Sequence, residues 1–339
     1  MLDRLKAIAK QVLRPEPKPI VEFDQKSLPW IDQPEADIDR FVAAYSRKQE
    51  FAYDLKEKLT HWQSNGYVIL EQAIPVSLID QLWSEAEELI NHPEDYKINI
   101  RVDKPEFAAR PVQMAKELPT EIIGGTYVKV MDFHNASLTG KKIMLHQQIV
   151  AFLEAVFNDR VVGMQSLLFK YGSQQATHQD FAYVVSEIPS HLAASWVALE
   201  DVSIDAGPLF YYPGSHKAAK FDFGNGIFFN EKSSRNPTDF GIYLDKLCTE
   251  NGLKRKTLLI KKGDVLLWHA ALAHGGDEIK DISHTRKSFV CHYSSQKAYR
   301  RHRQDVQAEP NRISINGADV FTHPVLTDEE DVFPLGQAF

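Results

Sequence analysis

Cysteine is almost missing: the 339 residues hold two, Cys248 and Cys291. Two thiols so far apart make neither a zinc motif nor a CxxC redox pair, and such sparse use suits a reducing cytosol. Both read as packing residues. Long apolar runs are also lacking. The start, Met1-Leu2-Asp3-Arg4-Leu5-Lys6, is broken by charge every few residues, unlike a signal peptide, and no later stretch is long enough to span a bilayer. The expected setting is the cytoplasm. Nor is there an excess of positive charge: 46 acidic residues against 39 Lys and Arg leave a net charge of −7, which argues against nucleic acid as the main partner. No internal repeat or low-complexity segment breaks the chain.

What remains has the composition of an ordinary globular protein, 43% hydrophobic and 25% charged. The length permits two domains but favours one large domain with extensions. Residues 1–65 read as a helical N-terminal extension and linker. Leu2, Leu5, Ala9, Val12 and Leu13 recur at helical spacing until Pro15, and Pro17 and Pro19 extend the linker. With Arg4, Lys6, Lys10 and Arg14, this helix is expected to dock on the main domain or a partner, with a peripheral position on an anionic membrane surface as the alternative. A second helical stretch covers about 38–62.

The main domain is expected over 66–299, followed by a C-terminal tail over 300–339. It opens with a strand at 67–70 and a helix after Pro75 whose Ile79, Leu82, Trp83, Ala86, Leu89 and Ile90 share one face. A second amphipathic helix is expected at 141–157. Strands then dominate, at 162–169, 182–185, 193–200, 208–212, 257–260, 265–269 and 288–293. Many short strands with Gly and Pro at the turns predict a mainly β fold, a cupin-like double-sheet jelly roll with flanking helices. An insertion over about 216–255, rich in Phe and holding a helix near 237–248, reads as a lid where substrate choice resides.

Chemistry concentrates in His178-Gln179-Asp180 and in a later His269 and His274. On an extended strand residues two apart share a face, so His178 and Asp180 converge on one point while Gln179 turns away. Two histidines and one carboxylate form the facial ligand set of a mononuclear non-haem Fe(II) site with open positions. Alone the triplet is weak, because 13 His and 46 acidic residues produce such spacings on solvated surface by chance.

The order of the flanking segments adds weight. Ala194-Ser195-Trp196-Val197-Ala198-Leu199-Glu200-Asp201 is followed by Ala206-Gly207-Pro208-Leu209 and then Pro213-Gly214-Ser215-His216. Gly263-Asp264-Val265-Leu266-Leu267-Trp268-His269, Ala273-His274-Gly275 and Thr285-Arg286-Lys287-Ser288 complete the series. It resembles the phytanoyl-CoA dioxygenase family of Fe(II)/2-oxoglutarate-dependent oxygenases over about residues 66–294. The resemblance implies a double-stranded β-helix and the cofactors Fe(II), 2-oxoglutarate and O2, with succinate and CO2 as coproducts of hydroxylating a small-molecule or acyl substrate.

It also implies His178, Asp180 and His274 as ligands, since the family's second histidine directly precedes a glycine; His269 then becomes a strand-end residue. Arg286, twelve residues after His274 where the family has about eleven, would hold the distal carboxylate of 2-oxoglutarate through its planar fork. Ser288, on the same strand face, would add a hydrogen bond. Lys129 and Trp196 match residues that border the cosubstrate pocket, and Gln165 is a candidate for its wall. Related halogenases replace the carboxylate, so Asp180 points to hydroxylation. Pro213-Gly214-Ser215-His216 reads as a turn. The basic run Lys254-Arg255-Lys256 reads as a solvated strand end or a phosphate contact. A non-catalytic, ligand-binding cupin-like module is the alternative function, and a zinc hydrolase would not require Arg286.

Overall fold

The computed structural model describes residues 19–45, 51–184, 186–299 and 312–321. The helix expected at 2–13 and the basic residues 300–303 lie outside the described residues. Thirteen strands are present among those described: β1 Tyr67–Leu70, β2 Asn99–Val102, β3 Val112–Met114, β4 Val128–Met131, β5 Val161–Phe169, β6 Leu192–Ala198, β7 Leu209–Tyr211, β8 Lys256–Thr257, β9 Val265–His269, β10 His274–Gly276, β11 Ser288–Ser295, β12 Arg312–Ile315 and β13 Ala318–Phe321. The large sheet runs β1-β9-β6-β11-β5-β4-β2-β3, and a small sheet runs β10-β7-β8. Together they make the expected jelly roll.

The strand alternation sorts side chains between two cores. On β11, Phe289, Cys291 and Tyr293 face the helices, whereas Val290 faces the small sheet. On β9, Val265 and Leu267 take the helix side and Leu266 and Trp268 the inner side. Both faces are covered, so every residue of β9 and β11 is buried, the polar Ser288, His292, Ser294 and Ser295 included. Between the sheets, Trp196, Trp268, Val290 and Phe169 meet Leu209 and Tyr211.

The helices α1 Ile38–Ala44, α2 Leu55–Asn65, α3 Val76–Asn91, α4 Thr120–Ile123, α5 Leu138–Met144, α6 Gln147–Phe157 and α7 Pro237–Glu250 flank this roll. In α3 the buried Ile79, Leu82, Ala86 and Leu89 form one stripe against the large sheet's core.

Four expectations need correction. The stretch 38–62 is two helices, because Asp37 and Asp54 each start one by accepting a backbone N–H, from Arg40 at 2.9 Å and Glu57 at 3.0 Å. The helix expected at 141–157 breaks at Leu145 and His146. No Gly or Pro marks the break; Leu145 turns into the core, and the Tyr293 hydroxyl takes up the terminal Met144 carbonyl at 2.8 Å. The strand expected at 182–185 is replaced, over the described part, by a 3-10 turn at Asp180–Ala182, with the N–H groups of Tyr183 and Val184 both donating to the Asp180 carbonyl. Finally, the tail over 300–339 contains a hairpin, β12–β13, whose second strand runs parallel to β5.

The N-terminal extension is also more integrated than a linker. Phe23 and Ile31 are buried, and the Trp30 indole donates to the Ala155 carbonyl at 2.8 Å. Phe23 packs edge-on against Phe181 at 5.1 Å, beside the histidine–aspartate motif. The Ile20 carbonyl accepts from Ile227 N–H, and Glu22 pairs with Lys220, so the extension straps the 216–255 insertion. In that insertion Phe221, Phe223 and Phe240 pack against one another, in the same core cluster as Phe181.

Candidate metal centre

His178 and His274 face each other as one rung of a ladder. His178 N–H donates to the His274 carbonyl at 2.8 Å, and His274 N–H returns the bond at 3.0 Å. Each imidazole is then fixed by its own Nδ1, which donates to the carbonyl two residues upstream: His178 to Ala176 and His274 to Leu272, both at 2.9 Å. A carbonyl only accepts, so Nδ1 carries the proton and Nε2 keeps a lone pair. Extended backbone at Gln179 puts Asp180 on the same side, while the buried Gln179 amide turns away to the Ala271 carbonyl. Asp180 Oδ1 lies 3.7 Å from His178 Nε2 and 3.6 Å from His274 Nε2. Among the described residues this is the one group of three or more His, Cys, Asp or Glu able to hold a metal ion.

The charge state suits a cation. Burial, reinforced by His274, pushes the His178 imidazole down to about 3, so it is neutral at physiological pH. Burial acts to raise Asp180, but His274, His292 and His178 outweigh it and hold the carboxyl below its usual range. The set is therefore two lone pairs and one desolvated anion, a donor combination that fits a divalent first-row metal such as Fe(II). The other carboxylate oxygen, Oδ2, accepts from the Trp268 indole at 2.7 Å and lies 3.4 Å from His292 Nε2.

A cleft beside the triad encloses about 460 Å³, including its open mouth. Leu167, Phe169, Leu209 and Val290 make its apolar walls, and Arg286 reaches it as a buried cation. Its Nη1 donates to the Gly207 carbonyl at 3.0 Å, its Nε has no partner, and the guanidinium lies 5.6 Å from the Trp196 ring centre. Burial pushes the group down to about 10, so it stays charged at neutral pH. No acidic side chain pairs with it among the described ion pairs, and the buried Ser288 hydroxyl two residues on is also unpartnered. A buried guanidinium fork without a carboxylate calls for one from a ligand.

The remaining candidates divide. Trp196 lines the cleft. Lys129 does not line it: its ammonium sits 3.0 Å from Asp103 and 3.5 Å from the Gln175 side-chain oxygen, and Gln175 is the residue on the wall. Gln165 stands behind the wall, 3.2 Å from His292 Nδ1. His269 is apart from the triad, its Nε2 3.6 Å from Asp32 and its Nδ1 accepting from Ala271 N–H. His216 is buried near His269 and is not a member either. Of the basic run, Arg255 pairs with Asp277 and Lys256 lies over the Tyr67 ring. Sequence reasoning missed Gln175, Trp268 and His292 among the residues that line the cleft. The signal for His292 was available, because Arg286, Ser288, Val290 and His292 alternate along one face.

The family model described as phytanoyl-CoA dioxygenase matches residues 62–288. The human peroxisomal phytanoyl-CoA dioxygenase is 23% identical over 267 residues, covering 73% of this chain and 72% of the relative. Among solved structures, EctD from S. alaskensis in its apoform is similar with a TM-score of 0.53 at 18% identity, over 82% of this chain and 85% of that one. The non-heme alpha ketoglutarate dependent epimerase SnoN from nogalamycin biosynthesis gives a TM-score of 0.52 at 20% identity, over 71% of this chain and 83% of that one. These two likenesses concern the fold. With a match across two thirds of its length, the chain belongs to the phytanoyl-CoA dioxygenase family.

Proposed function

We propose that this protein is an Fe(II)- and 2-oxoglutarate-dependent dioxygenase that hydroxylates a small-molecule or acyl substrate, with His178, Asp180 and His274 as the iron ligands. The observation that carries the reading is the meeting of two donor sets in one cleft: the convergent His178, Asp180 and His274, and a buried Arg286 with no acidic side chain beside it. A 2-oxoacid with a second carboxylate answers both. Bound Fe(II) and 2-oxoglutarate supply the oxidation of substrate by O2, with succinate and CO2 as coproducts.

The chain's own part is placement. His178, Asp180 and His274 would hold the ion from one side, with the cleft on the other. Arg286 and Ser288 hold the far carboxylate of the cosubstrate, and Trp196 covers the guanidinium. The walls Leu167, Phe169, Leu209 and Val290 exclude water from the chain of the bound acid. The insertion's Phe229, more than a third exposed and 6.1 Å from Tyr183, stands at the same end as His178 and is the proposed start of the substrate surface. No helix among the described residues is long and apolar enough to cross a membrane, and a reducing cytoplasm is the proposed setting.

The test is anaerobic addition of Fe(II) and 2-oxoglutarate, followed by visible charge-transfer absorbance, and then succinate release on admitting O2. Wild type and His269→Ala should give both signals. His178→Ala, Asp180→Ala and His274→Ala should give neither, since two ligands hold a labile ion poorly. Tight metal binding with no absorbance and no succinate would favour a non-catalytic module and overturn the proposal.

A further inference from the structure

Three imidazoles approach the Asp180 carboxylate at similar distances, and distance alone cannot tell a ligand from a hydrogen-bond donor. His178 and His274 lie 3.7 and 3.6 Å from Oδ1; His292 lies 3.4 Å from Oδ2. The other ring nitrogen separates them. In His178 and His274, Nδ1 faces a backbone carbonyl, which leaves Nε2 as a lone pair. In His292, Nδ1 faces the amide nitrogen of Gln165 at 3.2 Å. An amide N–H only donates, so Nδ1 of His292 must accept and its proton sits on Nε2.

We propose that His292 is not a fourth ligand but the positioning residue of Asp180: its Nε2–H, set by Gln165, holds Oδ2 and leaves Oδ1 to the metal. The proposal rests on Asp180 being a metal ligand. Three further observations support it. The Trp268 indole, which can only donate, already binds the same Oδ2 at 2.7 Å, so this oxygen faces donors while Oδ1 faces two lone pairs. His292 is buried and lines the cleft, and its Nε2 has no hydrogen-bond partner, so a small shift of the carboxylate completes a bond that is otherwise missing. Gln165 and His292 are direct partners in the β5–β11 register, immediately before the register shift between His292 and Tyr293, so the backbone itself aims the pair inward.

The consequence is single-oxygen ligation. With Oδ2 held by two donors, the carboxylate cannot rotate to chelate through both oxygens, and the position that chelation would occupy stays free. Partners of this kind, one bond behind the ligands, typically change metal affinity by about 10- to 100-fold when removed.

The experiment uses the full chain and two readouts other than turnover. Long-range proton–nitrogen NMR of the metal-free protein, with histidines assigned by substitution, should show His292 protonated at Nε2 and His178 and His274 at Nδ1. Cobalt(II) titration, followed by its visible ligand-field bands, should show His292→Leu binding about tenfold more weakly with shifted bands. His292→Gln, which can present an amide N–H near the Nε2 position, should restore most of the affinity. Gln165→Glu, whose carboxylate accepts a hydrogen bond from Nδ1–H, should reverse the His292 tautomer and weaken cobalt as His292→Leu does. An Nδ1-protonated His292, or wild-type affinity and bands in His292→Leu, would overturn the assignment while leaving the iron reading in place. Loss of cobalt in His292→Leu as complete as in His178→Ala would make His292 a ligand and also overturn it. Failure of the wild type to take cobalt would remove the metal reading, and this proposal with it.

Discussion

At the scale of single residues, Arg286 holds its charge where water cannot compensate it. Its planar fork matches a carboxylate with two parallel N–H bonds, which an ammonium cannot reproduce. Arg286→Lys should therefore weaken 2-oxoglutarate by about 1 to 3 kcal/mol, roughly five- to a hundredfold, while leaving metal affinity unchanged. Anaerobic titration of the charge-transfer absorbance measures this, and identical curves for the two proteins would remove Arg286 from the cosubstrate site. Shared faces were legible wherever two-residue alternation decides them: His178 with Asp180, and Arg286 with Ser288. Alternation names a face but not a depth. Gln165 shares the inner face yet sits one side chain behind it, screened by His292, and Lys129 reaches the wall only through Gln175.

At the scale of elements, α7 is fastened to the segment that carries His178. One oxygen of Asp245 accepts from the Thr177 hydroxyl at 2.7 Å and from the Tyr212 hydroxyl at 3.1 Å. Thr177 precedes His178, and Tyr212 N–H bonds the carbonyl of Ala273, which precedes His274. Gly241, one turn earlier, lets the helix close in: a Cβ there would lie 3.2 Å from the Thr177 carbonyl. Asp245→Ala should lower unfolding free energy by about 1 kcal/mol, the usual net worth of such bonds, and Asp245→Asn, which retains an acceptor oxygen, should keep most of it. Urea unfolding of the two variants decides; equal losses would mean that the charge matters and the two bonds do not. The helix itself was readable from Asn236-Pro237, where Asn236 caps and Pro237 fills the first turn. The break at Leu145 and the turn at Asp180–Ala182 were not. Neither stretch holds Gly or Pro to mark it, and each meets a residue distant in sequence: the Tyr293 hydroxyl bonds the Met144 carbonyl, and Phe23 packs on Phe181.

At the scale of the whole molecule, stability should depend on pH through histidines buried without charge. Burial, then His269, pushes His216 down to about 3; burial, then Lys297, pushes His191 down to about 4. Unfolded, each titrates near ~6.5. Between those values the unfolded chain binds more protons than the folded one, so stability is full above pH ~6.5 and falls as pH drops toward 4. The melting temperature should decline from pH 7 to pH 5, and His216→Asn should flatten that decline. Parallel profiles for the two proteins would show that His216 takes no part.

The strap formed by Ile20, Glu22 and Phe23 also separates similarity from autonomy. The region shared with the family begins at residue 62, yet Phe181, beside Asp180, is covered by a side chain from before it, and Ile227 of the 216–255 stretch hydrogen-bonds the backbone there. A fragment beginning at residue 62 would keep His178, Asp180 and His274 while uncovering Phe181 and removing the backbone partner of Ile227. The smallest piece that resembles the family is thus smaller than the smallest piece expected to work, and a chimera that exchanges residues 216–255 for a relative's would have to carry the matching stretch of N-terminal chain with it.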